Sequence, residues 1–397
     1  MSDPLRTIAV VTVARSDYGI VRRLMTDIQK APGLELCVIA SGTHLAPAFG
    51  YTAADIEADG FVIDHRVEML FASDSEEGAA LSTGAGIMGF ARLFSHMRPD
   101  MLLLTGDRFE MFAAAVAALH HGIPIAHLHG GEVTEGAIDD AFRHAISKMA
   151  QLHFVATEAN RTVLRQLGEE DARIVVCGAP ALDAISDFVP ASRSTLEMNF
   201  GIALDEPPLL VTWHPATKAL AQTEADTQAL LDALSAFANP TVFTLPNADS
   251  HGRLIRRQIE DYVADRDDAW LVPNFGQSGY FSMMSQALAM VGNSSSGIIE
   301  AASFRLPVVN IGDRQRGRIC ARNVIHALAV RDAILAALRE ATDSAFTGTL
   351  ADLVNPYGSG KAAERIVSTL RDTSMERLTE TKRFVHSDLA DLTRTPA

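Results

Sequence analysis

The run TGDRFEMFAAAVAALHHGIPIAHLHGGEVTEGAIDDAFRH (105–144) decides the fold. MLLL (101–104), just before it, reads as a buried strand, the Ala-rich stretch 109–121 as a helix, and IPIAHL (123–128) as the next strand. Strand, helix, strand is a βαβ unit and predicts a parallel sheet. Asp107, Glu132, Asp139, Asp140 and His144 then fall in or beside the loops after two consecutive strands. Ligands of open parallel sheets bind beyond the carboxyl ends of the strands. The three aspartates also have a plainer reading. Asp107 can cap a helix, and Asp139 and Asp140 can complement a helix dipole from its first turn. Glu132 follows HGG, two glycines that let backbone approach a ligand closely. Together the acids point to proton-transfer chemistry.

Outward from this run, two series of strands alternate with helical patterns. The first is TIAVVTV (7–13), LELCVIA (34–40), MLLLT (101–105), IPIAHL (123–128), LHFVAT (152–157) and RIVVCG (173–178). The second is PLLVTW (208–213), TVFTLP (241–246), AWLVPN (269–274), ALAMVG (287–292) and LPVVNIG (306–312). The expected architecture is α/β, two Rossmann-like domains with parallel sheets facing across a cleft, the GT-B arrangement. The expected boundaries are 1–185 and 186–374, with a link through SDFVPASRSTLEMNFGIALDEPP and a tail, 375–397, crossing back onto the first domain.

Composition narrows the function. The chain has 397 residues, 48% of them hydrophobic and 21% charged, as in a soluble globular protein of more than one domain. A net charge of −15 argues against nucleic acid or an anionic membrane as partner. The start MSDPLRTIAVV reads as a strand rather than a secretory leader, and no apolar run is long enough to span a bilayer. Cys37, Cys177 and Cys320 have no metal-type spacing, and three cannot all pair within the chain. A reducing cytoplasm is the expected location.

Local clusters of donors nevertheless suit an anionic small ligand. Arg15, in ARSDYG (14–19), stands past the first strand beside a helix expected to start near Tyr18. VGNSSSGIIE (291–300) follows a buried strand and opens a helix, so Ser294, Ser295, Ser296 and nearby N–H groups can surround a phosphate; they can also simply cap the helix. Glu300, a turn further on, can accept from ribose hydroxyls. NIGDRQRGR (310–318) gathers Arg314, Arg316 and Arg318, a set suited to a diphosphate. His214 in VTWHP ends the second domain's first strand, and Asn247 and Asp249 follow another. His127 and His129, two apart on a strand, point to one side. That could be half a metal site, but no third ligand has matching spacing, so polar lining is the expected role and no metal.

GDRFEM (106–111), HLHGGE (127–132), GAIDDAFRHAISKMAQLHFVATE (136–158), CGAPALD (177–183), GNSSSGIIE and NIGDRQRGR together resemble the hydrolysing UDP-N-acetylglucosamine 2-epimerases, which open sialic and related nonulosonic acid synthesis. The likeness covers roughly residues 7–370, with the motifs in order. It implies the GT-B fold, a UDP-sugar substrate, no cofactor, no metal, and homodimers or homotetramers. It implies catalytic roles for Asp107, Glu132 and one of Asp140 and Asp139. Arg15, Arg108, His214, Ser294, Ser295, Glu300 and Arg314 match nucleotide and diphosphate contacts, leaving His129 and His144 for the sugar pocket. Gly19 stands where the animal enzyme has a ligand-contacting serine. GDR, where non-hydrolysing epimerases have GDT, implies the hydrolysing branch.

No carbonyl acidifies the C2 hydrogen of such a sugar. The implied route therefore breaks the anomeric C–O bond to UDP, passes the C2 proton to a carboxylate, and hydrates the resulting 2-acetamidoglycal with protonation of C2 from the other face. UDP-N-acetylglucosamine, giving N-acetylmannosamine, is the expected substrate. The same chemistry on UDP-2,4-diacetamido-2,4,6-trideoxyglucose (UDP-N,N'-diacetylbacillosamine), toward legionaminic-type sugars, is the alternative. A non-hydrolysing epimerase and a GT-B glycosyltransferase are the remaining readings.

Overall fold

Short aliphatic runs build two all-parallel sheets, each buried on both faces. The computed structural model describes residues 5–47, 50–71, 75–186, 188–215, 220–245 and 252–386. The first sheet holds β1 (Arg6–Thr12), β2 (Leu34–Ser41), β3 (His65–Val67), β4 (Met101–Thr105), β5 (Ile125–Leu128), β6 (Leu152–Val155) and β7 (Ile174–Val176), in the order β3-β2-β1-β4-β5-β6-β7. The second holds β8 (Leu209–Thr212), β9 (Thr241–Thr244), β10 (Ala269–Val272), β11 (Ala289–Gly292), β12 (Val308–Ile311) and β13 (Val324–Ala327), in the order β10-β9-β8-β11-β12-β13. Strand order reverses between β1 and β4 in one sheet and between β8 and β11 in the other. Those two switch points are where such sheets receive ligands.

Alternation along β1 shows why the strands read as unbroken apolar runs. Ile8 and Val10 join the core on one face with Tyr18, Val21 and Leu24 of the helix Arg15–Lys30, while Ala9 and Val11 join the other with Phe90, Met111 and Ala114. The second sheet buries Leu209, Val211, Phe243, Val291 and Val309 with Leu230, Leu234 and Leu338. No helix among the described residues is long and apolar enough to cross a membrane.

The structure departs from the sequence expectations in five places. β3 and β13 are short edge strands with little apolar signal. The first helix starts at Arg15 rather than near Tyr18, because the Asp17 carboxylate accepts from the backbone N–H groups of Val13 and Ala14 at 2.9 and 2.7 Å. The chain forms two units, Met1–Glu132, Asp139–Ala184 and Gly360–Ala397 against Val133–Ile138 and Ile185–Ser359, so the return begins at Gly360, not at 375. The helix Ala362–Asp372 carries an apolar stripe of Ala362, Ala363, Ile366, Val367 and Leu370 that only the first core covers, and Asp183 accepts its first N–H groups at 2.8 and 2.5 Å. Finally, 133–138 packs with the second unit: Glu135 N–H donates to the Arg316 carbonyl at 3.0 Å, and a side chain at Gly136 would strike the Asp313 carbonyl. The expected link contains a helix, Arg193–Phe200, within the second unit.

Two fully buried histidines tie the loops at the first switch point. His127 Nε2 donates to the Gly106 carbonyl at 2.7 Å while its Nδ1 accepts from Ser147 at 3.0 Å. His44 Nε2 donates to Thr12 Oγ1 at 2.9 Å, because the Thr12 hydroxyl donates to Asp17; its Nδ1 accepts from Thr52 at 2.7 Å. Desolvation pushes His127 down to about 3 and His44 down to about 4. The unfolded chain protonates both below about 6.5 and the folded chain does not, so stability is full above that pH and falls as pH drops toward those lower values. Each histidine should cost about 2 kcal/mol by pH 5. Urea denaturation at pH 7.5 and pH 5 checks this; equal midpoints would contradict the buried neutral state.

Candidate active site

The first unit gathers its acids on one arginine. Arg143, 1% exposed, projects from the helix Asp139–Met149 and donates to three separate loops and turns. Its Nη2 pairs with Asp107 after β4, and its Nη1 donates to Asp140 Oδ1 at 3.3 Å and to the Glu132 carbonyl at 2.9 Å. Asp107 and Asp140 remain 24% and 21% exposed at their side chains, so the fork holds them without sealing them from solvent. The helix after β4 is capped at Arg108, not Asp107, which frees the Asp107 carboxylate for this pairing. Asp139 stands beside Asp140 in the same first turn, part-exposed. His144 Nε2 lies 3.5 Å from Asp140 Oδ2; burial lowers its pKa, partly offset by that carboxylate.

Glu132 is buried, and its Oε1 sits 2.7 Å from His129 Nδ1. His129 has left β5 and adopts φ +62°, so it does not share a strand face with His127 as the two-residue spacing suggested. Its Nε2 is buried without a hydrogen-bond partner. The two glycines of HGG are required by the chain itself. A Cβ at Gly130 would lie 2.8 Å from Ser147 Oγ, and one at Gly131 would lie 2.2 Å from the Asn160 carbonyl. Among the described residues no group of three or more His, Cys, Asp or Glu is placed to hold a metal.

A second buried set lies at the same sheet edge. Arg108 forks onto Glu110, Nε to Oε2 at 3.2 Å and Nη2 to Oε1 at 3.1 Å. Glu110 is fully buried and desolvation raises its pKa, opposed by Arg108; burial likewise raises Asp17, opposed first by its bond from Thr12. Arg15, the first residue of its helix, is exposed at the end of β1. Gly19 lies one turn further along that helix.

In the second unit the β8 and β11 ends are latched by Asn293. Its Oδ1 accepts from His214 N–H and its Nδ2 donates to the His214 carbonyl, both at 2.8 Å. Its own carbonyl accepts from Arg314 Nη1 at 3.1 Å and Gln315 Nε2 at 2.9 Å. His214 is buried and held well below the usual histidine range by desolvation, then by Arg314. Only glycine fits at Gly292, where φ is +134° and a Cβ would lie 2.0 Å from the Thr212 carbonyl. Ser294 caps the short helix Ser295–Ile299, accepting from Ser296 N–H at 3.3 Å. Ser296 Oγ meets Tyr280 at 2.9 Å, and Glu300 closes the helix. Arg316 pairs with Glu135 at 3.0 Å, exposed, and Arg318 is half-buried. Asn247 and Asp249 lie outside the described residues.

Arg143, Glu110, Asp17 and Asn293 escape a sequence reading. The one signal for Arg143 is its position three residues after Asp140, which ordinarily marks a surface ion pair. Arg143→Met removes a buried cation from two carboxylates and should cost about 3–5 kcal/mol. Chemical denaturation measures this; a loss below about 1 kcal/mol would contradict the buried fork.

Residues 26–371 match the UDP-N-acetylglucosamine 2-epimerase family. The chain is 37% identical to the "UDP-N,N'-diacetylbacillosamine 2-epimerase (hydrolyzing)" of Legionella pneumophila, over 92% of this chain and 96% of that protein. It is 39% identical to the "GDP/UDP-N,N'-diacetylbacillosamine 2-epimerase (hydrolyzing)" of Campylobacter jejuni, over 81% and 84%. The solved UDP-GlcNAc 2-epimerase of Neisseria meningitidis, bound to UDP-GlcNAc, superposes with a TM-score of 0.80 at 19% identity, covering 92% of this chain and 100% of that one. The fold is therefore the GT-B class of two Rossmann-like domains, and the chain belongs to the UDP-N-acetylglucosamine 2-epimerase family.

Proposed function

We propose that this protein is a hydrolysing UDP-sugar 2-epimerase acting on UDP-N,N'-diacetylbacillosamine. The observation that carries the chemistry is the group of acids around Arg143: Asp107 and Asp140 share its guanidinium, and the Glu132 carbonyl accepts from it. A 2-epimerase needs one group to take the C2 proton and another to return a proton to the opposite face. A carboxylate removes the C2 proton as the C1–O bond breaks and its electron pair leaves with UDP. Water then adds at C1 of the glycal, a second acid protonates C2, and free 2,4-diacetamido-2,4,6-trideoxymannose departs. Each positioned acid or base contributes roughly 10²–10⁴ in rate. In this scheme Asp107, Glu132 and Asp140 move protons, with Asp139 as the other member of the acidic pair, and His129 and His144 line the sugar.

The second unit would hold the nucleotide. Arg314 and His214, with Ser294 and Ser295, are assigned to the diphosphate that carries the departing charge, and Glu300 to the ribose. Arg15 and Arg108 are assigned to the same substrate from the first unit, Arg108 oriented by Glu110. No step needs a metal or a cofactor. A homodimer or homotetramer in the cytoplasm completes the proposal, on the family likeness.

UDP-N-acetylglucosamine, giving N-acetylmannosamine, is the second reading, favoured by the ligand named for the Neisseria structure. The names of the relatives at 37% and 39% identity favour the diacetyl sugar. Incubation with each UDP-sugar in D₂O, followed by NMR of the released sugar, separates them. The diacetyl substrate should be consumed at least tenfold faster, with stoichiometric UDP and deuterium at C2 of the product. Preference for UDP-N-acetylglucosamine would replace the substrate, and product without C2 deuterium would overturn the elimination route.

A further inference from the structure

The helix Asp139–Met149 carries Asp139, Asp140, Arg143 and His144 toward its start and Ser147 near its end. Its end is held from a distant part of the chain. Lys382 Nζ donates to the carbonyls of Lys148 at 2.8 Å and Ala150 at 2.7 Å, and lies 3.5 Å from that of Ser147. The Lys148 carbonyl belongs to the last turn of the helix, whose carbonyls lack intrahelical donors, and a cation there also meets the negative end of the helix dipole. The Lys382 side chain is 12% exposed and its charge is matched by fully buried Glu169, 2.7 Å away. Glu169 also accepts from Lys148 at 2.8 Å and His153 at 3.1 Å.

The segment around Lys382 is itself anchored in the first unit. Arg383 N–H donates to Glu170 at 3.0 Å and Val385 N–H to the Gly168 carbonyl at 3.0 Å. The Phe384 ring covers Gly168, where any Cβ would lie 2.4 Å from it, and Lys148 Nζ stands 4.8 Å above that ring. From Ser147 the connection runs back to the acids: Ser147 to His127, His127 to the Gly106 carbonyl, and Gly106 adjoins Asp107. The same helix reaches Asp107 through Arg143.

We infer that Lys382 is a positioning residue for proton transfer: by clamping the end of the Asp139–Met149 helix it fixes the distance and direction at which Asp140 and Arg143 meet Asp107. Lys382 touches no substrate. A rigid helix transmits a displacement along its axis, and the Lys148 end lies roughly 12 Å from Asp140 at 1.5 Å per residue. Misplacement on the scale of an ångström is enough to slow proton transfer about a hundredfold. The inference rests on the carboxylate assignment above.

The test compares Lys382→Met, which keeps the stem and loses charge and donors, with Lys382→Arg, Lys148→Met and Asp140→Asn in the full-length chain. Lys382→Met should lower kcat at least about tenfold while KM for the UDP-sugar and Kd for UDP stay within about twofold. It should also raise the ratio of released glycal to free sugar. Lys382→Arg should recover most of kcat. Lys148→Met, which loses a Glu169 partner but leaves the Lys382 clamp, should stay within about twofold. A Lys382→Met enzyme with a lower melting temperature but normal kcat, measured well below that temperature, would overturn the inference and leave Lys382 a mere staple. If Lys382→Met does not fold, Lys382→Gln takes its place with the same expected split. Asp140→Asn with near-normal turnover would instead sink the carboxylate assignment, which separates the two failures.

Discussion

A guanidinium taken out of water must find anions or carbonyls for its donors, because an unpaired buried charge costs several kcal/mol. Arg143 meets that constraint by drawing together the loop after β4, the loop after β5 and the first turn of its own helix. Two carboxylates that would repel each other in one small region are thereby held together. The positions of Asp107 and Asp140 follow from this arrangement. So does the fact that Arg108, not Asp107, occupies the helix cap. The fork shape matters as much as the charge, since it presents donors in different directions at fixed angles.

Parallel topology supplies the rest of the frame. In both sheets strand order reverses beside the first strand of the unit, at β1 and at β8. Around the first reversal stand Arg15, Asp107 and Arg108; around the second stand His214 and Ser294. Each end is stiffened by a neutral or amide side chain that satisfies backbone groups, His127 in one unit and Asn293 in the other. Such residues do no chemistry, yet they fix where the reactive loops begin.

Much of this was legible in the chain. Buried parallel strands are aliphatic throughout, so the central strands announce themselves, and acids just past two of them mark a ligand-binding edge. The edge strands β3 and β13 were not legible, because HRV and VIHA are short and only partly buried. Nor was the start of the first helix, since Asp17 caps it from inside the helix. Glycines in HGG pointed to a close approach, and the structure shows such approaches to Asn160 and Ser147. His127, read in the sequence as polar lining, is a sheet-to-loop tether. Arg143 was hidden because burial of a helical arginine depends on tertiary contacts from loops that are 11 and 36 residues away in sequence.

If one fork makes the acids a single unit, removing an acid and weakening the fork cannot have independent effects. A double-mutant cycle in kcat with Asp107→Asn and Arg143→Lys measures this, the lysine keeping charge while losing the fork. A shared unit requires coupling of about 1–3 kcal/mol, with Asp107→Asn costing far less once Arg143 is changed. Losses that add within about 0.3–0.5 kcal/mol would mean that Arg143 and Asp107 act separately, and the central role given to the fork would be wrong.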